Sequence, residues 1–304
     1  MTISIIVPTF NGEKKIIGLL RSLEEQTYKD FDVIVVIDGS TDNTENILIQ
    51  NQFKLKAIKI LKQPNKGRAA ARNAGAAIVD SDILLFLDDD MRLTAEGVEK
   101  HLLLHQQNLN QNLIIVGNTT EDLSLLKSDI QKYKYFKSKL WERATPQHIP
   151  MTKDNFFLAA AHFSIPKQLF FELCGFDEKL RDAEDFDLAK RALDKGMQII
   201  FKPNIVAWHD DFITCRSYIF RQQEYNKAHQ NLKNLYPERY QQNPYTYEPV
   251  NGLKKIVYWF FSGYFWVNVV DKYNFLRVLP KNIRYKLYDV IITANAVHFP
   301  LKMK

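Results

Sequence analysis

Three consecutive carboxylates directly follow a run of five apolar residues. Residues 83–87 read Ile-Leu-Leu-Phe-Leu, and Asp88, Asp89 and Asp90 come next. A short apolar run that contains an aromatic residue is typical of a strand buried on both faces of a parallel sheet, and ligands of such sheets bind outside the carboxyl ends of the strands. Adjacent carboxylates repel one another unless a cation neutralises them, and Mg²⁺ and Mn²⁺ prefer such oxygen ligands. The pattern therefore favours a metal site, with a solvated acidic loop as the alternative interpretation.

A further acid, Asp38, follows a second apolar strand at residues 31–37. If both strands are parallel, Asp38 and the three aspartates lie at the same edge of the sheet. The turn after the first strand, residues 8–12, reads Pro-Thr-Phe-Asn-Gly and lacks the G-x-G-x-x-G pattern of a dinucleotide-binding dehydrogenase. The sequence also lacks the G-x-x-x-x-G-K-S/T loop of phosphate-loop NTPases. The sequence therefore does not favour a dinucleotide-binding dehydrogenase or a phosphate-loop NTPase.

Strands and helices alternate along the first part of the chain. The apolar and turn patterns predict strands at residues 3–7, 31–37, 57–61, 83–87 and 113–117. Between the early strands they predict helices at residues 13–26, around Ile47 and Leu48 after a cap at Ser40, Thr41 or Asp42, and at 69–79. This alternation predicts an α/β fold with a mainly parallel central sheet and helices on both faces.

The second half of the chain is predicted to be more helical. A helix at residues 121–143 is either a lid on the acceptor side or a plain surface helix, and a helix at 183–195 ends at Gly196. Short strands at 199–201 and 205–208 precede a long helix at 215–236. A polar connector at residues 240–249 follows.

Composition indicates an ordinary core-forming protein. The 304 residues include 46% hydrophobic and 25% charged residues. The two cysteines, Cys174 and Cys215, form no disulfide framework and favour a reducing compartment. The N-terminus lacks the features of a signal peptide, and no apolar run reaches the roughly 18 residues of a membrane span. We therefore expect a cytoplasmic protein, with peripheral attachment to the inner face of the cell membrane as one arrangement.

The positive charge is concentrated at the C-terminal end. Residues 250–304 contain nine Lys or Arg and two Asp, a net charge of +7, whereas the whole chain carries +6. An aromatic run at residues 256–270 lies between Lys254, Lys255 and Lys272, which suits a membrane interface. A peripheral membrane contact through residues 254–286, packing on the catalytic domain and a dimer contact are the three interpretations. Nucleic acid is not expected as a partner, because no known binding motif is present.

Four motifs in register give the chain a resemblance to a known family. They are Val7-Pro8-Thr9-Phe10-Asn11, Asp38-Gly39-Ser40-Thr41-Asp42, Asn65-Lys66-Gly67 with Ala71-Arg72-Asn73-Ala74-Gly75, and Leu87-Asp88-Asp89-Asp90. Together they resemble the nucleotide-sugar half of an inverting family 2 glycosyltransferase with the GT-A fold. The resemblance continues through Gly175-Phe176-Asp177-Glu178 and Glu184-Asp185 to His209. It implies a catalytic domain at residues 1–214, with a nucleotide-sugar half at 1–117 and an acceptor half at 118–214, and a helical extension at 215–304.

The resemblance implies a donor site built from several turns. Thr9 and Asn11 would line the base pocket, and Asp38 would accept a hydrogen bond from the base or ribose. Ordinary turn chemistry is the alternative for all three. Lys66 and Gly67 would let the backbone approach the ligand closely.

Arg72 would lie near the nucleotide and pair with Asp38 or the diphosphate, unless it is an exposed helix residue.

The metal site is also implied by the resemblance. Asp88 and Asp90 match the D-x-D motif of the family, and their ion, Mn²⁺ or Mg²⁺, would bridge the donor diphosphate. Asp89 would contact the sugar. His209 would complete the metal site or contact the diphosphate, with a loop histidine as the alternative.

An inverting transfer needs a base for the proton of the acceptor hydroxyl. Asp185 is the predicted base, and Glu184 is its neighbour in acceptor binding. Both lie in the first turn of a predicted helix, where carboxylates are favourable for the helix itself, so a purely structural role is the alternative.

The predicted function is metal-dependent, inverting transfer of a sugar from a nucleotide-diphosphate sugar. UDP is the expected nucleotide, and the acceptor is a hydroxyl of a cell-surface glycan or of a lipid-linked carrier. Two other interpretations remain open at this point. One is an inactive sugar-nucleotide-binding or membrane-docking protein. The other is a sugar nucleotidyltransferase, although the Gly-rich, Lys-containing first loop of that class is absent.

Overall fold

The chain forms two compact units. The computed structural model describes residues 1–108, 112–240 and 249–302. The first unit contains Met1–Asp122 and Ser138–Asp211, and the second contains Leu123–Lys137 and Phe212–Lys304. Most of the connector predicted at residues 240–249 lies outside the described residues.

The first unit is built on a mixed sheet. In the described residues its eight strands are β1 (Ile3–Thr9), β2 (Phe31–Asp38), β3 (Ala57–Gln63), β4 (Ile83–Leu87), β5 (Met91–Leu93), β6 (Leu113–Thr120), β7 (His162–Pro166) and β8 (Gln198–His209). Their order across the sheet is β3-β2-β1-β4-β7-β6-β8-β5. β1 pairs in parallel with β2 and β4, β2 with β3, and β6 with β8, whereas β7 is antiparallel to β4 and β6, and β5 to β8. The parallel block β3-β2-β1-β4 places the carboxyl ends of four strands at one edge.

Helices cover both faces of this sheet. The first seven helices are α1 (Ile16–Glu24), α2 (Thr44–Gln50), α3 (Arg68–Ala77), α4 (Gly97–Gln107), α5 (Asp129–Ala144), α6 (Lys167–Glu172) and α7 (Glu184–Asp194). Successive side chains of a strand point to opposite faces, so each strand contributes to two cores. Ile5 and Val7 of β1 pack in one core with α1, α2 and α4, whereas Ile6 packs in the other with α3, α6 and α7. The predicted α/β class is confirmed.

Helix α3 packs unusually closely on the sheet because it is made of small residues. Its buried positions include Ala69, Ala70, Ala71 and Ala76. A Cβ on Gly75 would lie 2.6 Å from Ile6 and 3.1 Å from Val36, so only glycine allows this separation of helix and strands. The close packing brings Arg72 of α3 within hydrogen-bond distance of Asp88, which follows β4.

The observed elements differ from the sequence predictions most clearly at β5, β8 and α5. β5 is a three-residue strand that no pattern predicts. β8 is one strand, although two short strands are predicted, because it continues through Pro203 past a register shift beside Gly117 and Asn118 of β6. α5 begins at Asp129 rather than at residue 121, after a short 3₁₀ turn at Leu123–Leu125.

The second unit is helical. Beyond the first part of α5 it contains α8 (Cys215–Leu235), α9 (Pro237–Tyr240), α10 (Gly252–Phe260), α11 (Tyr264–Asn268) and α12 (Lys281–Thr293). Thr214 caps α8 through a reciprocal pair of hydrogen bonds with Ser217. Tyr133, Tyr285 and Tyr288 form the centre of its apolar core. Among the described residues, no helix has the length and apolar character that a membrane crossing needs.

Candidate active site

The aspartates after β4 lie at the start of a turn that leads into β5. The backbone amide of Asp88 donates to the carbonyl of Ala161 (3.3 Å), and the amide of Met91 donates to the carbonyl of Asp88 (3.2 Å). β5 then pairs with the end of β8 so that Met91 lies opposite His209. This pairing brings Nε2 of His209 to 3.4 Å from Oδ1 of Asp90.

Asp90 has the most cationic surroundings of the three aspartates. Nζ of Lys15, in the loop before α1, lies 3.2 Å from Oδ2 of Asp90 and 4.0 Å from Oδ1 of Asp89. Burial alone would raise the pKa of Asp90, but the hydrogen bond and charge of His209, followed by Lys15, outweigh it and lower the pKa well below its usual range. Asp90 is therefore ionised throughout the physiological pH range.

Asp89 is buried against the turn after β1. Oγ1 of Thr9 donates to Oδ2 of Asp89 (2.6 Å). A Cβ on Gly12 would lie 2.2 Å from Oγ1 of Thr9 and 2.7 Å from Oδ2 of Asp89, so this contact requires a glycine in the turn. Burial raises the pKa of Asp89 to about 6, with the charge of Asp90 adding to it and the Thr9 hydrogen bond opposing it.

Asp88 is bound to a fully buried arginine. Nη2 of Arg72 donates to Oδ1 of Asp88 (2.6 Å), and Nη1 donates to Oε1 of Glu184 (2.9 Å). The guanidinium also lies 5.5 Å from the ring centroid of Phe176. Arg72 is only 1% exposed, which excludes the interpretation of an exposed helix residue. It links the end of β4 to the start of α7.

The pairing of Arg72 with Asp38 that the sequence suggests is wrong. Oδ1 of Asp38 accepts from the backbone amide of Lys66 (2.9 Å) and from Nε2 of Gln63 (2.7 Å). Oδ2 accepts from the backbone amide of Gly67 (2.8 Å). Gly67 has a φ of +92° just before α3, which a residue with a side chain rarely adopts. Asp38 therefore fixes the loop that starts α3, and the side chain of Lys66 remains exposed.

Asn11 joins the turn after β1 to the turn after β2. Its backbone amide donates to Oγ of Ser40 (3.0 Å), and its Oδ1 accepts from the amide of Thr41 (2.8 Å). Asn11 has a φ of +52°, a left-handed conformation that asparagine tolerates better than most residues. The side chain is exposed, so these bonds set the spacing of two loops at the edge of the sheet.

The acidic pair at the start of α7 has two different environments. Glu184 is 2% exposed, and its Oε2 has no hydrogen-bond partner among the described residues. Asp185 is partly exposed, and its carboxylate accepts from the backbone amides of Ala160 (3.3 Å) and Phe186 (2.8 Å). Desolvation, followed by the charge of Glu184, raises the pKa of Asp185 to about 7. A carboxylate with this pKa is matched to proton transfer near neutral pH.

Comparisons with known proteins identify the family of this chain. The sequence model described as "Glycosyl transferase family 2" matches residues 4–163, more than half of the chain. The chain belongs to glycosyl transferase family 2.

This family 2 glycosyltransferase is similar to curated relatives over different lengths. It is 30% identical over 219 residues to an uncharacterized glycosyltransferase of Haemophilus influenzae, covering 71% of this chain and 70% of the relative. It is 27% identical over 198 residues to a chondroitin synthase of Pasteurella multocida, covering 64% of this chain but 19% of that protein.

The fold is similar to a solved structure of S. aureus TarS residues 1–349 in complex with UDP-GlcNAc. That likeness has a TM-score of 0.54 at 17% identity and covers 97% of this chain and 90% of that chain. The predicted GT-A class of α/β fold is thereby confirmed.

The residues around Asp90 fit a divalent cation. In the described ranges, no group of three or more His, Cys, Asp or Glu side chains is arranged to hold a metal. His209 lies against Asp90, so these two side chains can bind the same ion. Asp88 is instead paired with Arg72. Mg²⁺ commonly takes one or two carboxylates and completes its shell with substrate phosphates and water. An ionised Asp90 beside His209 is therefore a suitable, sparse ligand set for an ion that arrives with a diphosphate.

The structure adds site residues that the sequence does not reveal. Lys15 follows another lysine and resembles a solvated charge, so only the contact with Asp90 indicates its place. Arg92 of β5 donates to both oxygens of Asp210 (2.6 and 3.0 Å) and to Asp122 (3.1 Å). These bonds fasten β5 to the end of β8 and so hold His209 beside Asp90. No local pattern predicts them, because their partners are far apart in sequence.

Proposed function

We propose that this family 2 glycosyltransferase moves a sugar from a nucleotide-diphosphate sugar to an acceptor hydroxyl with inversion at the anomeric carbon. UDP is the proposed nucleotide, since the similar TarS structure contains UDP-GlcNAc. The proposed acceptor is a growing cell-surface glycan or its lipid-linked carrier, in keeping with the chondroitin synthase relative. The expected place of this reaction is the cytoplasm or the inner face of the cell membrane.

The observation that carries the proposal is the buried bridge of Arg72. It joins Asp88, in the acidic motif after β4, to Glu184, which precedes Asp185 in α7. The bridge thereby holds Asp88, on the proposed donor side, at a fixed distance from the start of α7, where the titratable carboxylate of Asp185 lies. Because Arg72 is buried, its proposed role is to position these acids rather than to contact the diphosphate.

The donor would bind along the edge where β1, β2 and β4 end. Thr9, Asn11 and Asp38 shape the turns at this edge, and the backbone at Lys66 and Gly67 starts α3 beside them. Asp89, with its raised pKa, offers a hydrogen-bonding group for the sugar.

The transfer is a single displacement. The acceptor oxygen attacks the anomeric carbon while the bond from that carbon to the phosphate oxygen breaks, and the hydroxyl proton passes to Asp185. Glu184, whose buried Oε2 has no hydrogen-bond partner among the described residues, is the proposed neighbour of the base in acceptor binding. A Mg²⁺ or Mn²⁺ ion held by Asp90 and His209 would supply Lewis-acid stabilisation of the departing nucleotide diphosphate. Lys15 adds positive charge at the same place.

The variant Asp185→Asn tests the role of the base. We expect turnover of the nucleotide sugar to fall by about 10²–10⁴-fold, because the variant cannot take the proton. Nucleotide binding should be retained, since Asp185 is not among the donor-side residues. The measurement is release of nucleotide diphosphate with a glycan acceptor, beside calorimetric binding of UDP.

A folding control accompanies this variant. The raised pKa means that folding favours the protonated carboxyl, so ionised Asp185 lowers stability as the pH rises from about 4 to 7. Asp185→Asn should therefore be at least as heat-stable as the wild type at pH 8. Wild-type turnover in the variant would exclude Asp185 as the base.

A further inference from the structure

Helix α10 exposes its apolar stripe to solvent. Leu253, Ile256, Val257 and Phe260 are spaced at i, i+3, i+4 and i+7 and so lie on one side of the helix. Their exposed fractions are 76%, 62%, 39% and 57%, and that of the neighbouring Trp259 is 66%. No residue of α10 is buried. A surface helix normally turns such a stripe toward the core, so this stripe is suited to another partner.

Contacts on the other side of α10 hold this orientation. The ring of Tyr258 packs against His298 with centroids 4.5 Å apart. The carbonyl of Phe260 accepts from Nε1 of Trp266 (2.6 Å), and Phe261 packs against the core of the second unit. The helix is therefore attached through the side that carries Tyr258, and the apolar stripe faces away.

The charges next to the stripe are cationic. Lys254 and Lys255 are both exposed. At 100° per residue, Lys254 lies beside the stripe, whereas Lys255 lies about 200° from Leu253, toward the side that carries Tyr258. Between residues 249 and 302 the carboxylates already have partners. Asp271 accepts from the amides of Cys215 and Arg216, and Asp289 accepts from Tyr133 and Lys137. Within the described part of this segment, both carboxylates are thus already engaged and do not neutralise Lys254 or Lys255.

We propose that α10 lies in the interface of an anionic lipid bilayer. Its apolar stripe would enter the outer acyl region, Trp259 and Lys254 would lie at headgroup level on opposite sides of the stripe, and Lys255 would add positive charge near the lipid surface. A symmetric contact with a second copy fits less well, because it would bring the lysines of the two copies together. The charge complementarity therefore favours lipid as the occupant.

Sedimentation of the full chain with vesicles tests this proposal. We expect binding to vesicles of equal phosphatidylcholine and phosphatidylglycerol and much weaker binding to phosphatidylcholine alone. Ile256→Ser combined with Trp259→Ser should weaken the partition coefficient by about tenfold or more, because two exposed apolar groups no longer enter the lipid. Lys254→Gln combined with Lys255→Gln should weaken it by about tenfold on the anionic vesicles.

The control variant is Ile49→Ser, which removes a side chain that is 66% exposed but lies in the first unit. Its vesicle binding should equal that of the wild type. Brominated lipid should quench tryptophan emission, and Trp259→Phe should remove most of that quenching while binding persists. The proposal is overturned if neither vesicle binds the wild type or if the stripe variants bind as tightly as it does. It is also overturned if those variants only dissociate a dimer.

Discussion

At the residue scale, three aspartates that are adjacent in sequence have three different environments. Asp88 is bound to Arg72, Asp89 is buried against Thr9, and Asp90 lies between His209 and Lys15. Their pKa values separate accordingly, with that of Asp89 raised and that of Asp90 lowered. The surroundings, rather than the residue type, thus make Asp90 a carboxylate that stays ionised and Asp89 one that retains its proton more readily.

The same reasoning gives a pH dependence for the proposed base. Asp185 accepts a proton only when it is ionised, and its pKa is raised to about 7. We expect kcat/KM to rise about tenfold per pH unit below pH 7 and to level off above it. The measurement is initial-rate kinetics from pH 5 to 9, with UDP binding followed over the same range as the control. A rate that stays constant down to pH 5 would contradict the assignment.

At the scale of elements, the site depends on α3, the end of β4 and the start of α7. The alanines of α3 and Gly75 allow the helix to pack closely on β1 and β2, and Arg72 then reaches both acids without exposure to solvent. A buried cation with two carboxylates is costly to disrupt, because removing one partner leaves uncompensated charge. The contribution of the bridge to the free energy of unfolding can therefore be measured independently of activity.

Arg72→Met should lower the free energy of unfolding of the first unit by about 3–5 kcal/mol, because Glu184 is left buried without its cation. The matched control in the same helix is Arg68→Met. Arg68 lies 2.8 Å from Asp182, but its side chain is 41% exposed, so this loss should be below about 1 kcal/mol. The measurement is urea unfolding at pH 7.5. Equal effects of the two substitutions would show that the buried bridge has no special role.

At the scale of the whole molecule, the sequence predicts the main strands and helices of the first unit, but it does not predict its shortest strand or the continuity of its longest one. The Val- and Ile-rich strands and the Ala-rich helix are local patterns, and the structure contains β1–β4 and α3 close to the predicted bounds. β5 is too short to have a period, and the interruption around Pro203 hides the continuity of β8. Periodicity cannot reveal an element whose existence depends on pairing with a distant strand.

In the candidate site, too, the local patterns are predictable from the sequence and the long-range contacts are not. The motifs indicate which residues lie at the sheet edge, because strand ends can be read from sequence. They do not reveal the partners of Arg72, which are 16 and 112 residues away along the chain, or the approach of Lys15 to Asp90. Such partners follow from tertiary packing. The roles of Asp90, His209 and Asp185 in catalysis stay predictions.

The most direct test of the central claim is calorimetric titration with UDP, GDP, CDP and TDP, each with Mn²⁺ and then with EDTA. We expect UDP to bind with the metal and to weaken at least tenfold with EDTA. Binding should be lost in Asp90→Ala, because the ion then lacks its ionised carboxylate. Asp80→Ala, which removes an exposed acid of the first unit, should bind as the wild type does. The account is contradicted if no nucleotide binds in the presence of Mn²⁺ or if Asp90→Ala retains full affinity.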